Sequence, residues 1–221
     1  MTEILFEDDF ILICKKSAGT LSESSDNSES LPRIIENEYK TQGKSITLYT
    51  VHRLDREVSG VIVYAKDSET AKKLSDMMAS RSFNKEYLAV VEGKLADTSG
   101  TLSDLLFRDA RKNKSYVVDR KRKGVKEALL EYTVLDSRND TTLVKIKLHT
   151  GRTHQIRVQF ASRGHSILGD RKYGSEIKSK QIALCSHKIE FIHPVTRENI
   201  SVSYSPPAID LWSNYEDALK R

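Results

Sequence analysis

Cysteine is scarce: Cys14 and Cys185 are the two in 221 residues, far apart and without CxxC spacing. A disulfide framework is excluded, and free thiols in a reducing compartment are expected. The six histidines (52, 149, 154, 165, 187 and 193) show no metal-ligand spacing with one another or with cysteine. No Walker loop, GxGxxG, GxSxG or HExxH segment occurs, so nucleotide-cradling, serine-hydrolase and zincin chemistry have no footing. No apolar run approaches the length of a membrane span. The opening Met-Thr-Glu-Ile-Leu-Phe-Glu-Asp-Asp lacks both the basic and the apolar region of a secretory signal. No internal repeat is evident. The expectation is a soluble, cytoplasmic protein without a metal cluster or a membrane span.

What is present fits a chain with ample length for a real core, 38% hydrophobic and 30% charged. Ile4-Leu5-Phe6 and Phe10 to Cys14, separated by Glu7-Asp8-Asp9, read as paired strands. Residues 17–30 form a serine-rich polar loop. A short helix follows from Leu31, with Pro32 early in it, ending near Gly43. Residues 68–80 read as an amphipathic helix with Ala71, Leu74, Met77 and Met78 inward. Strands are expected at 61–65, 85–93, 126–135, 142–148, 181–191 and 199–204, and a helix carrying Trp212 over 207–221.

Three stretches concentrate chemistry. From His52 to Glu57, five of six side chains are charged or titratable, directly before the apolar run Val61 to Ala65. Leu54 fits as an anchor in the core, with Arg53 and Asp55 facing a cleft; the plainer reading is a surface loop with a local ion pair. Arg53 and Arg56 beside Asp55 favour its ionised form. Such a carboxylate suits nucleophilic attack or stabilisation of a positive sugar centre better than proton donation. Around residues 150–164, Gly151 breaks a strand, Thr153 reads as a helix N-cap and Gly164 as the residue that ends it. This helix places His154, Arg157, Val158 and Ala161 on one face. A buried arginine there needs a carboxylate, and Asp55 is a candidate. Residues 111–124 hold seven basic residues and one acidic, a surplus of six on a chain whose net charge is +5. Tyr116-Val117-Val118 at their centre reads as a strand in a hairpin that grips phosphates, or else as a solvated face. Tyr87, where a strand begins, is either core or a ring stacked at the mouth of a site.

His52-Arg-Leu-Asp55 with Ser59-Gly60, Lys85-x-Tyr87, and Thr150-Gly-Arg-Thr-His-Gln-Ile-Arg157 together form one pattern. Gly164, Gly169-Asp170, Tyr173-Gly174, His187 and Phe191-x-His193-Pro194 extend it, and Phe6-Glu-Asp-Asp precedes it. This order resembles the RluA-type pseudouridine synthases from about residue 3 to 206. The resemblance implies conversion of uridine to its C5-linked isomer within folded ribosomal or transfer RNA, with no cofactor. It gives the catalytic roles to Asp55, Tyr87 and Arg157: the essential aspartate, the tyrosine against which a flipped uracil stacks, and the arginine paired with the aspartate. Arg53 is implied to displace the target nucleotide and take its place in the stack. His52, Arg152 and His154 are further substrate-binding candidates. So are Arg111, Lys112, Lys114, Arg120, Lys121, Arg122 and Lys123, where the family carries an RNA-gripping hairpin. Ser17, Val58 and Gln159 depart from the usual Pro, Thr and His. The implied fold is α+β: a single catalytic domain over 1–221 without a separate RNA-binding domain, its largely antiparallel, curved mixed sheet flanked by helices around a central basic cleft. No obligatory protein partner is inferred. A non-catalytic RNA-binding protein of the same fold is the alternative; a carboxylate glycosidase would require a second, raised acid near Asp55.

Overall fold

The computed structural model describes residues 1–24, 29–179 and 181–220; residues 25–28 of the expected 17–30 loop and residue 221 of the expected C-terminal helix lie outside that set. In chain order the strands and helices are β1 (Ile4–Glu7), β2 (Ile11–Lys16), α1 (Leu31–Thr41), β3 (Tyr49–Thr50), β4 (Ser59–Ala65), α2 (Ser68–Ala79) and β5 (Phe83–Glu92). They continue as β6 (Ser99–Asp109), β7 (Lys114–Val118), β8 (Val125–Arg138), β9 (Thr141–Leu148), α3 (Gln155–Ala161), β10 (Leu184–Ile192), β11 (Asn199–Ser203) and α4 (Glu216–Leu219). Short 3₁₀ turns lie at Arg171–Tyr173 and Asp210–Tyr215. The class is α+β, as expected. By contacts the chain forms two compact units, Met1–Lys85 with Ser186–Tyr204, and Glu86–Cys185 with the residues from Ser205 on.

In the first unit β1 pairs with β2, β2 with β4, and β10 with β11, all antiparallel, and β4 neighbours β10. Asp8 builds the β1–β2 turn, its carboxylate accepting the Phe10 and Ile11 amides at 2.8 and 2.7 Å. Ile11, Ile13, Val61, Val63, Leu74, Phe83, Ile189 and Phe191 make the core. Helix α2 covers it with Leu74, and Ala71, Met77 and Met78 pack alongside, the apolar stripe its sequence spacing predicts. Asp67 caps that helix by accepting the Thr70 amide at 2.8 Å.

In the second unit the strand order is β5-β9-β8-β6-β7, antiparallel throughout. Asn139 and Asp140, both left-handed at φ 48° and 59°, close the tight β8–β9 hairpin. Three expectations are corrected here. Helix α3 spans seven residues and begins at Gln155. Its N-cap is His154 in left-handed conformation, because the Gln155 carboxamide reaches back to accept the Arg152 amide at 3.1 Å and leaves Thr153 no capping role. His154 therefore lies outside the helical face assigned to it. The C-terminal stretch is chiefly the 3₁₀ turn Asp210–Tyr215, with α4 only four residues long.

Candidate active site

In the first unit, the loop from β3 into β4 is locked from several directions. It enters β4 through Gly60, at φ +113°, where a Cβ would stand 2.1 Å from the Ser186 carbonyl oxygen. Leu54 is 6% exposed and anchors in the core as expected. Its amide donates to the Ser22 hydroxyl at 3.0 Å, and that hydroxyl donates back to the Leu54 carbonyl at 2.8 Å. Tyr64, in turn, donates its hydroxyl to the Ser22 carbonyl at 2.8 Å. Two residues on, the Arg56 carbonyl accepts the Gly19 amide at 2.7 Å and the ammonium of Lys16 at 3.2 Å. Lys16 is fully buried, and the carbonyls of Ser17 and Thr20 also receive its protons. Desolvation lowers its pKa to about 8, against the nearby negative charges of Asp55 and Glu57. Asp55 is thus the half-buried side chain of a loop whose backbone is held on both sides.

The arginines flanking Asp55 turn elsewhere: Arg53 pairs with Glu23 at the surface, and Arg56 donates to the Gly19 carbonyl at 2.8 Å. The local ion pair of the plainer reading thus involves Glu23. His52 packs inward. Its Nε2 accepts the Val63 amide at 3.3 Å, and burial, with Lys85 nearby, holds its pKa well below the usual histidine value. A neutral ring so placed fastens the loop to β4 and offers no positive charge to a phosphate.

In the second unit, Arg157 and Asp170 form a two-pronged pair, Nε to Oδ2 at 2.6 Å and Nη2 to Oδ1 at 2.9 Å, with both side chains at most 2% exposed. The Tyr173 ring lies between cations, 5.2 Å from the Arg157 guanidinium and 5.1 Å from the Lys114 ammonium. Its hydroxyl accepts the Ser115 amide at 2.8 Å and bonds His154 Nδ1 at 2.9 Å. Ser115 also donates its hydroxyl to the Thr153 carbonyl at 2.6 Å. Strand β7 is thereby tied to the start of α3. Tyr87, 7% exposed, stands on β5 opposite Ile146.

Comparison with known proteins decides what this apparatus belongs to. The family model for RNA pseudouridylate synthase matches residues 10–162. "Uncharacterized RNA pseudouridine synthase YhcT" of Bacillus subtilis is 35% identical over 213 residues, 93% of this chain and 69% of that protein. The chain belongs to the RNA pseudouridylate synthase family. "Ribosomal large subunit pseudouridine synthase C" of Buchnera aphidicola from Acyrthosiphon pisum is 32% identical over 224 residues, covering 97% and 70% of the two chains. In fold, the human RNA pseudouridylate synthase domain containing 1 superimposes with a TM-score of 0.80 at 20% identity, over all of this chain and 95% of that one. Membership makes the protein an RNA uridine isomerase.

Against that family, the basic segment folds as the hairpin its sequence suggests, β6 pairing with β7 from Leu105↔Val118 to Asp109↔Lys114. Asp109 shapes the turn by accepting the Arg111 and Lys112 amides at 2.9 and 3.1 Å. Arg111, Lys112, Arg120, Lys121, Arg122 and Lys123 are exposed, with Lys121 paired to Glu127 and Arg122 5.0 Å from the Phe107 ring. Lys114 is half-buried against Tyr116 and Tyr173. Arg152 donates to the Glu127 carbonyl at 2.9 Å. Gln159, where the family commonly has His, is buried and donates to Asp104 at 2.7 Å and to the Leu102 carbonyl at 3.1 Å, joining α3 to β6. Sequence reasoning misses Ser22, Lys16 and Asp170 as structural partners. Of these, Asp170 carries a signal, a carboxylate closing the apolar run Ile167-Leu168-Gly169.

Proposed function

We propose that Asp55 carries the isomerisation of a uridine flipped out of structured RNA, with ribosomal RNA as the substrate to test first. The reaction is internally balanced: the bond from C1′ to N1 breaks, one from C1′ to C5 forms, and the C5 proton is replaced by one at N1. It needs an oriented carboxylate and a water-poor site, and no redox partner. The observation that carries this reading is the restraint of the Asp55 loop by Leu54, Ser22 and Lys16. A carboxylate held within a few tenths of an ångström of its working position contributes orientation that a mobile loop would lose. By the family resemblance, the role of the ring that receives the extruded base, at an unstacking cost of a few kcal/mol, falls to Tyr87. The same resemblance gives Arg157 the role of a fixed positive charge, and Arg53 that of the side chain that takes the vacated place in the stack. The exposed basic residues of the β6–β7 hairpin hold the backbone through its phosphates. Ribosomal RNA comes first because relatives at 32–33% identity are named ribosomal large subunit pseudouridine synthases.

The test is incubation of the protein with ribosomal and transfer RNA, followed by pseudouridine-specific mapping. Wild type should add pseudouridine at discrete sites, and Asp55→Asn should add none while binding RNA within about two-fold, since phosphate interactions dominate affinity. Normal turnover by Asp55→Asn would sink the assignment. RNA binding by wild type with no new pseudouridine would favour a protein that binds without catalysis.

A further inference from the structure

Lys85 has no use in the arrangement described so far. Its ammonium sits 3.6 Å from the sulfur of Met78 and 5.3 Å from the centroid of the Phe83 ring, and among the described residues it meets no carboxylate and no carbonyl oxygen. Lys16, in the same unit, shows what a settled buried lysine looks like, with three carbonyls around its nitrogen. A thioether and a ring face are weak partners for a half-buried cation. The consequence is a pKa pulled down to about 8 by desolvation.

A second donor nearby is also unanswered. Because His52 Nε2 accepts the Val63 amide, the neutral ring carries its proton on Nδ1, and that atom is buried without a partner. The His52 ring borders Phe83 as Lys85 does, with centroids 6.1 Å apart, and the Lys85 charge bears on the imidazole. Two donors around one aromatic ring thus lack an oxygen acceptor among the described residues. Unmet donors cost stability, and an incoming anionic oxygen would remove that cost. His52 stands three residues before Asp55, on the same loop from β3 into β4.

We propose that Lys85 is a substrate-binding residue whose ammonium takes a phosphodiester oxygen of the RNA next to the target uridine. This rests on the placement of that uridine at Asp55. A phosphate stabilises the charged amine, so RNA affinity is full below pH about 8 and falls as pH rises past it.

The experiment measures binding of a target-site RNA by fluorescence anisotropy, with the full chain in an Asp55→Asn background to prevent turnover. Lys85→Met should weaken binding several-fold, reduce the slope of log affinity against log salt by about 0.7 for one phosphate no longer neutralised on a single strand, and abolish the fall in affinity above pH 8. It should also melt at an equal or higher temperature, because a half-buried cation that meets no oxygen acceptor has been replaced by an apolar side chain. Lys85→Arg should keep the salt slope. An unchanged slope and pH profile in Lys85→Met, or a lowered melting temperature with the slope intact, would make Lys85 structural and overturn the proposal. Should Lys85→Met fail to fold, calorimetry of RNA binding near pH 8.5 in buffers of different ionisation heat decides the matter on the parent chain. Proton uptake supports a phosphate on Lys85, and its absence refutes it. Normal turnover by Asp55→Asn would displace the uridine from Asp55 but leave these binding outcomes for Lys85 to be read independently.

Discussion

At the scale of single residues, the Arg157–Asp170 pair is where one atom's change matters most. Both side chains are buried, and each oxygen of Asp170 meets a guanidinium nitrogen. Asp170→Asn keeps the shape and removes one charge of a buried two-pronged pair. Breaking such a pair costs about 3–5 kcal/mol, and denaturant unfolding should register that loss; a change below about 1 kcal/mol would mean that other groups carry the arginine's charge. Sequence reasoning recognises that Arg157 needs a carboxylate and names Asp55 as a candidate. It does not pair Asp170 with Arg157: the carboxylate after Ile167-Leu168-Gly169 is visible, but its place beside the arginine is set by how the chain after α3 folds back, which side-chain periodicity does not encode. Ser22 is hidden for another reason: in a serine-rich loop nothing marks the one hydroxyl that clasps Leu54. Leu54 itself is legible, since a lone apolar residue among charges has few reasons to be there except burial.

At the scale of elements, legibility follows the strength of the hydrophobic pattern. Helix α2 and strands β2 and β4 have clear stripes or runs and fold as expected. Strand β6 is absent from the sequence-based expectations because Ser-Gly-Thr-Leu-Ser-Asp-Leu-Leu-Phe-Arg-Asp alternates poorly, and its status as a strand comes from pairing with β8 and β7. The hairpin it forms with β7 is legible through charge. Replacing Arg120, Lys121, Arg122 and Lys123 with Gln removes four exposed cations at little cost to folding. The salt slope of RNA binding should fall by up to about 3, at roughly 0.7 for each phosphate no longer neutralised. The turnover rate on saturating RNA should change by less than about two-fold, because positioning interactions act on affinity. A large drop in rate at saturation, with the salt slope intact, would place these residues in the chemistry and outside the grip. Lys114 belongs to a different class. It rests on Tyr173, which also faces Arg157, so Lys114→Gln is expected to disturb α3 as well as RNA affinity.

For the molecule as a whole, the buried titratable groups set how stability varies with pH. His52 has a folded pKa well below its ordinary 6.5, so the unfolded chain binds more protons under that pH and stability falls on acidification. Lys85 and Lys16 have folded pKa values of about 8 against an ordinary 10.5. Between those values the unfolded chain again holds more protons, so stability rises with pH as the buried amines shed an awkward charge. Cys14 acts in the opposite sense, its thiol pushed up from 9.0 to about 12 by burial, so above pH 9 the unfolded chain ionises first and stability declines. The three effects together give a plateau from pH 6.5 to 8, a gain from 8 to 9, and a smaller gain above 9, where the one thiol offsets part of what the two amines add. Each lysine contributes at most about 1.4 kcal/mol per pH unit in that window, and Lys16 less, because three carbonyls favour its charged form. Thermal melts across this range should show the gain above pH 8, Lys85→Met should remove most of it, and Cys14→Ala should extend it past pH 9. A melting temperature that falls steadily from pH 8 upward in the wild-type protein would mean that these amines stay solvated, and that the cost attached to Lys85 is not there for RNA to relieve.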